Sequence, residues 1–185
     1  TSFWYSFIAL SKEGSIRIPH IYENSIQGDA ILSDIYTSFG VNTEFDENGI
    51  LLTKSIKVAK EVNLNLSNNP DLALPIVVTC AGLGIKSQLN GLESLKIKES
   101  DRLVSIKKEL NKFNISVEID DSSIKIKENQ NIVQPETIIK CHNDHRIAMS
   151  IAPLSMKVDS IEFDNKDVVN KSYPKFWEDF NSVIN

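Results

Sequence analysis

The chain has 185 residues, of which 41% are hydrophobic and 24% charged, and its net charge is −5. That balance describes a globular protein with one large domain or two small ones, and excludes a general binder of nucleic acid or membrane surfaces, so any cationic cluster must be local. No apolar run reaches the length of a membrane span, the opening residues do not read as a signal peptide, and Cys80 and Cys141 are too few for a disulfide framework and lack metal-ligand spacing, which points to a cytoplasmic protein.

Phe3-Trp4-Tyr5-Ser6-Phe7-Ile8-Ala9-Leu10 reads as the inside of an element already under way. A helix over residues 1–10 would be apolar nearly all round and therefore buried on every side. Since the chain opens on Thr1 rather than methionine, it is expected to start partway through a larger polypeptide. Ile16-Arg17-Ile18 alternates as a strand, and Ile31, Ile35 and Phe39 mark one face of an amphipathic helix. Asp46-Glu47-Asn48-Gly49 supplies the turn of a hairpin. Residues 62–66 alternate again, and residues 71–81 form a second helix with no polar face. Gly82-Leu83-Gly84 after it reads as a C-cap and turn rather than a phosphate loop. Leu103, Ile106, Leu110 and Phe113 recur at helical spacing with lysines in the gaps. Strands over 115–119 and 124–126 flank the turn residues Asp120 to Ser123. A third buried helix over 144–156 and a one-sided helix carrying Phe176, Phe180 and Ile184 complete the pattern.

The spacing is periodic. Asp71 and Asp144, each opening a buried helix, stand 73 residues apart; Ser25, Lys98 and Lys171, each preceding a one-sided helix, follow at the same step. An internal period signals a repeated supersecondary unit, here strand, buried helix, strand, amphipathic helix, hairpin. The expectation is one α/β domain over residues 1–185, an inside-out, barrel-like arrangement of three such units with a central helix bundle walled by sheets. The repeat also predicts an acidic residue about 73 positions before Asp71, ahead of Thr1, capping the first buried helix.

Three-fold packing would gather equivalent positions at one end, where helix N-termini favour anions. Lys98, Arg102, Arg146 and Lys171 would make that end a cationic basin on an acidic protein. Arginine offers a planar fork for carboxylate or phosphate, lysine a point charge that can exchange a proton. Asp71 and Glu99 would be carboxylates among cations, a setting that favours the charged form unless burial prevails. Plainer readings stand beside these. Asp71, Asp101 and Asp144 also fit as N-caps, which is the favoured reading for the last two. Lys98 and Glu99 fit as a solvated charge run, and His145 as a buried, hydrogen-bonded histidine.

Leu95–Leu103 (LKIKESDRL), Asn143–Met149 (NDHRIAM) and Asn170–Phe176 (NKSYPKF) resemble the signatures of the 5-enolpyruvylshikimate-3-phosphate synthase family. Glu23–Asp29 (ENSIQGD) and Asn69–Pro75 (NPDLALP) resemble further segments of it in the same order. The resemblance implies the C-terminal domain of a two-domain enolpyruvyl transferase, with the N-terminal domain as the missing partner. It implies transfer of the carboxyvinyl group of phosphoenolpyruvate to the 5-hydroxyl of shikimate 3-phosphate with release of phosphate. It further implies Asp71 as the base near that hydroxyl and Glu99 as the group that protonates and deprotonates the methylene carbon. Lys98 would touch the 5-oxygen and share in proton transfer. Arg102 and Arg146 would hold the enol carboxylate, Lys171 its phosphate, and His145 would support Glu99 or Arg146. The inhibitor glyphosate would compete for the site of Arg102, Arg146 and Lys171. Neither a metal nor a nucleotide cofactor is implied. One departure is Ser94, where some members place an asparagine against shikimate 3-phosphate. Three alternatives stay open: the related UDP-N-acetylglucosamine enolpyruvyl transferase, an RNA 3'-end cyclase-like enzyme with His145 as nucleophile, and a non-catalytic anion-binding domain.

Overall fold

A computed structural model describes residues 1–21, 31–128 and 131–184. The seven-residue match at Glu23–Asp29 and the repeat position Ser25 lie outside the described residues. The middle repeat is the fullest. Strand β4 (Glu61–Asn65) leads through a 3₁₀ turn, Pro70–Leu72, into helix α3 (Ala73–Leu83); β5 (Lys86–Asn90) returns parallel to β4, and a second 3₁₀ turn, Glu93–Ile97, precedes α4 (Arg102–Asn111). The antiparallel pair β6 (Val117–Ile119) and β7 (Ser123–Ile126) closes the unit. In α3 every residue from Ala73 to Ala81 is buried, which explains a helix without a polar face. Gly84 ends it in the left-handed region at φ 69°, the conformation glycine adopts at no steric cost.

The first unit supplies α1 (Ser2–Leu10), β1 (Ser15–Pro19), α2 (Leu32–Thr37) and the hairpin β2 (Val41–Asp46) with β3 (Gly49–Lys54). The third supplies α5 (His145–Ile151), continued by a 3₁₀ turn at Ala152–Met156, and α6 (Phe176–Ile184) after another at Lys166–Lys171. Helices α1 and α3 pack together, and α5 with its 3₁₀ extension packs on both. Thr79 donates to Ser6 Oγ at 2.9 Å, a buried bond between residues 73 apart in the chain, so equivalent turns of α1 and α3 face each other. The core is this bundle, with α1 against the first sheet and α3 against the second. Burying a leucine or isoleucine fully, as at Leu74 and Ile76, contributes about 1.5–3 kcal/mol.

The barrel-like expectation is not met. The chain is α/β, with an open three-stranded sheet in the order β1-β3-β2 and an open four-stranded sheet in the order β4-β5-β7-β6. No strand pair among the described residues links the two, and closure requires every edge to be paired. The third unit contributes only one parallel bridge, Ile139 with Phe163, in place of the β4–β5 pair. Two periodic positions also come out exposed: Ile31 precedes α2, and Ile184 falls in the last turn of α6. The strand expected over 115–119 is limited to Val117–Ile119.

Candidate active site

The repeat brings two helix starts and two 3₁₀ turns to one end of the bundle. Asp71 lies in the turn that opens α3, Lys98 and Glu99 in the approach to α4, Arg102 at the first position of α4, Arg146 in the first turn of α5, and Lys171 at the end of the turn before α6.

Arg102 is the hub. Its side chain is 2% exposed, and every nitrogen of the guanidinium meets a carboxylate. Nη1 donates to Asp71 Oδ1 at 2.7 Å, Nη2 to Glu99 Oε2 at 2.6 Å, and Nε to Asp144 Oδ2 at 2.7 Å. A second Nη2 contact reaches Asp144 Oδ1 at 3.3 Å. A planar fork suits such a three-way junction and a lysine ammonium does not.

The other cations sit around this hub, nearer solvent. Arg146 Nη2 lies 3.4 Å from Asp71 Oδ2, and its Nη1 donates to the Asp71 carbonyl at 3.4 Å. Lys98 Nζ is 3.8 Å from Asp71 Oδ1. Lys171 Nζ donates to Glu99 Oε1 at 2.8 Å and is the most exposed of the four, at 64%. The two guanidinium groups therefore share one carboxylate. Asn68, Asn69, Asp71, Lys98 and Arg146 line a surface recess of about 300 Å³ beside the hub. A wider recess of about 860 Å³ covers the outer face of the four-stranded sheet, away from this cluster, and its walls include the ion pair Lys86–Glu61.

The bond from Lys171, with help from the Glu99 backbone and the nearby Arg102 charge, pulls the Glu99 carboxyl down from 4.5 to about 2. Burial lowers the pKa of His145. Its ring makes no hydrogen bond to Glu99 or Arg146 among the described residues, and Nδ1 is buried without a partner.

The three aspartates divide differently from a uniform set of caps. Asp101 is a cap, accepting from Val104 N at 3.1 Å. Asp71 forms no cap bond and turns its carboxylate to the cations. Asp144 does both: it accepts from Arg146 N at 2.9 Å and from two nitrogens of Arg102, fully buried. Its second role went unread because a cap and a partner for arginine are the same residue type in a sequence. The available signal was its place one repeat after Asp71. Ser100, whose hydroxyl reaches Asp144 Oδ2 at 3.2 Å, was likewise missed.

Chemically, the arrangement offers four cations around three carboxylates, with the more accessible lysines and Arg146 free to exchange a protein carboxylate for one on a ligand. It also offers two part-exposed carboxylates, Asp71 and Glu99, one on each terminal nitrogen of a single guanidinium.

The family model for EPSP synthase (3-phosphoshikimate 1-carboxyvinyltransferase) matches residues 1–180. A 3-phosphoshikimate 1-carboxyvinyltransferase from Bacteroides fragilis is 36% identical over 179 residues, covering 96% of this chain and 44% of that protein. One from Clostridium kluyveri is 35% identical over 185 residues, covering 98% of this chain and 42% of its own length. The chain thus spans less than half the length of these curated relatives. The solved structure of EPSP synthase from Acinetobacter baumannii superposes with a TM-score of 0.71 at 19% identity, over 98% of this chain and 44% of that one, which is a likeness of fold.

Proposed function

The chain belongs to the EPSP synthase family, and from that premise we propose that it is the C-terminal domain of a two-domain cytoplasmic enzyme that transfers the carboxyvinyl group of phosphoenolpyruvate to the 5-hydroxyl of shikimate 3-phosphate. The observation that carries the reading is the meeting of Arg102 and Arg146 on Asp71, with Lys98 and Lys171 on the same rim. An enol phosphate brings a carboxylate and a phosphate close together, and this rim offers separated cations for both.

In this reading Arg146 takes the enol carboxylate first, since its contacts to Asp71 are long and it is partly exposed. Arg102 joins through the donor capacity released as Asp71 or Glu99 turns to substrate. Lys171 leaves Glu99 for the phosphate. Asp71, beside Lys98, accepts the proton of the attacking 5-hydroxyl. Glu99 delivers a proton to the methylene carbon, the phosphate-bearing carbon bonds to the 5-oxygen, and a tetrahedral intermediate forms. Glu99 then removes the proton as the C–O bond to phosphate breaks, giving the enol ether. Glu99 held near 2 by Lys171 cannot deliver a proton at neutral pH. The departure of Lys171 toward the phosphate removes the largest cause of that depression and makes the carboxylate more basic, so Glu99 takes up from solvent the proton it passes to the methylene carbon only once the donor is bound. Contacts to the shikimate phosphate come from the other domain.

Phosphate release by the full-length protein tests this. With phosphoenolpyruvate, shikimate 3-phosphate should be turned over and UDP-N-acetylglucosamine should not. Asp71→Asn and Glu99→Gln should each lower kcat by about 10²–10⁴-fold. Equal turnover by both variants and parent would reduce the site to an anion-binding surface.

A further inference from the structure

Buried on α4, seven positions after Arg102, lies a carboxylate with no part in the chemistry above. Glu109 is 1% exposed, and both of its oxygens are used. Oε2 accepts from the Lys140 backbone N–H at 2.9 Å and from Lys112 Nζ at 2.6 Å; Oε1 meets His142 Nε2 at 2.8 Å. Lys112 also donates to the Ile138 carbonyl at 2.7 Å. Glu109 thus binds the 138–142 segment at three points, counting the one through Lys112.

The end of that segment and the residues after it give the bond its consequence. His142 and Asn143 both sit at φ 54°, in the left-handed region. Consecutive non-glycine residues there hold only when the surroundings fix them, although histidine and asparagine tolerate the region better than most. The next residue is Asp144, which caps α5 and grips Arg102 from inside the protein. Helix α4 is therefore tied twice to one loop: Glu109 holds the loop before its left-handed step, and Arg102 receives the carboxylate that the step delivers.

We propose that Glu109 and His142 are positioning residues for the active site, fixing the His142-Asn143 step that sets Asp144 against Arg102. The functional half of this rests on the enolpyruvyl reading; the structural half does not. Loss of the Glu109–His142 contact lets the step relax, Asp144 withdraws, and Arg102 loses the anchor that aims its remaining donors at Asp71 and Glu99.

The test uses the full-length protein labelled with ¹⁵N-arginine. The Arg102 Nε–H resonance, assigned by its disappearance in Arg102→Lys, reports the bond to Asp144 directly. Glu109→Ala and His142→Asn are the variants; asparagine keeps a residue suited to positive φ while removing the ring. In both, the resonance should broaden or exchange away and kcat should fall about a hundredfold, with the KM for shikimate 3-phosphate little changed. Glu109→Gln, whose amide can still accept from Lys140 N–H and donate to the ring, should restore the resonance and most of kcat. An unaltered Arg102 resonance in His142→Asn overturns the proposal, and that variant decides the matter if Glu109→Ala does not fold. If the parent turns over no phosphoenolpyruvate, the enolpyruvyl reading fails while the resonance still answers the positioning question.

Discussion

Arg102 carries the most consequence of any single side chain. It is an arginine in the interior, acceptable there only because three carboxylates surround it. Arg102→Met should destabilise the protein by about 3–5 kcal/mol, because Asp144 would remain buried and uncompensated. Arg102→Lys should recover little of it, since one ammonium cannot meet all three acceptors; the shift in urea midpoint measures both. Glu99 carries the pH dependence. Its folded pKa is depressed from 4.5 to about 2, so the stabilisation from its ion pairs is present above 4.5 and is lost as pH falls toward 2. Lys171→Met removes the first cause of that depression and should move the Glu99 midpoint upward in a ¹³C carboxyl titration. An unmoved midpoint would mean that Lys171 does not hold Glu99. The repeat positions place Lys98, Arg102, Arg146 and Lys171 at one end of the domain, with Glu99 among them. Arg102, which the family resemblance gives to the ligand, first satisfies the protein's own carboxylates.

Helices were legible because their patterns differ in kind. The uninterrupted apolar run of α3 could only be buried, and the Leu103–Ile106–Leu110 spacing of α4 could only be one-sided. Close packing between helices was less legible. A Cβ at Gly82 would lie 2.5 Å from Cδ2 of Leu10, which is itself buried, so α1 and α3 approach there as closely as a glycine permits. Gly82→Ala should cost about 1–3 kcal/mol, read from a thermal or urea transition. The cap of α4 offers a control for the active-site variants. Asp101→Ala removes only the bond to Val104 N and should cost about 1 kcal/mol without a catalytic loss on the scale of Glu99→Gln.

For the whole molecule, the period of 73 residues matches the convergence of the helix starts, while the barrel-like closure expected from it is overturned by two open sheets. Hydrophobic periodicity reports which face of an element is buried, not whether a sheet finds a partner for its last edge. The third repeat contributes helices and a single bridge between Ile139 and Phe163 where the second has a parallel strand pair. The helix starts still converge, because the bundle and not the sheets sets where they lie. Since the relatives are more than twice as long, the 185-residue chain alone is expected to show no steady-state release of phosphate. A rate near that of the full-length protein would contradict this. The most direct test of the central claim is the KM for phosphoenolpyruvate of full-length Arg146→Met, measured with saturating shikimate 3-phosphate. Loss of a charged contact to the enol carboxylate should raise that KM about tenfold or more, leaving the KM for the acceptor unchanged. A KM for phosphoenolpyruvate equal to the parent's would show that the cations around Asp71 do not grip the donor.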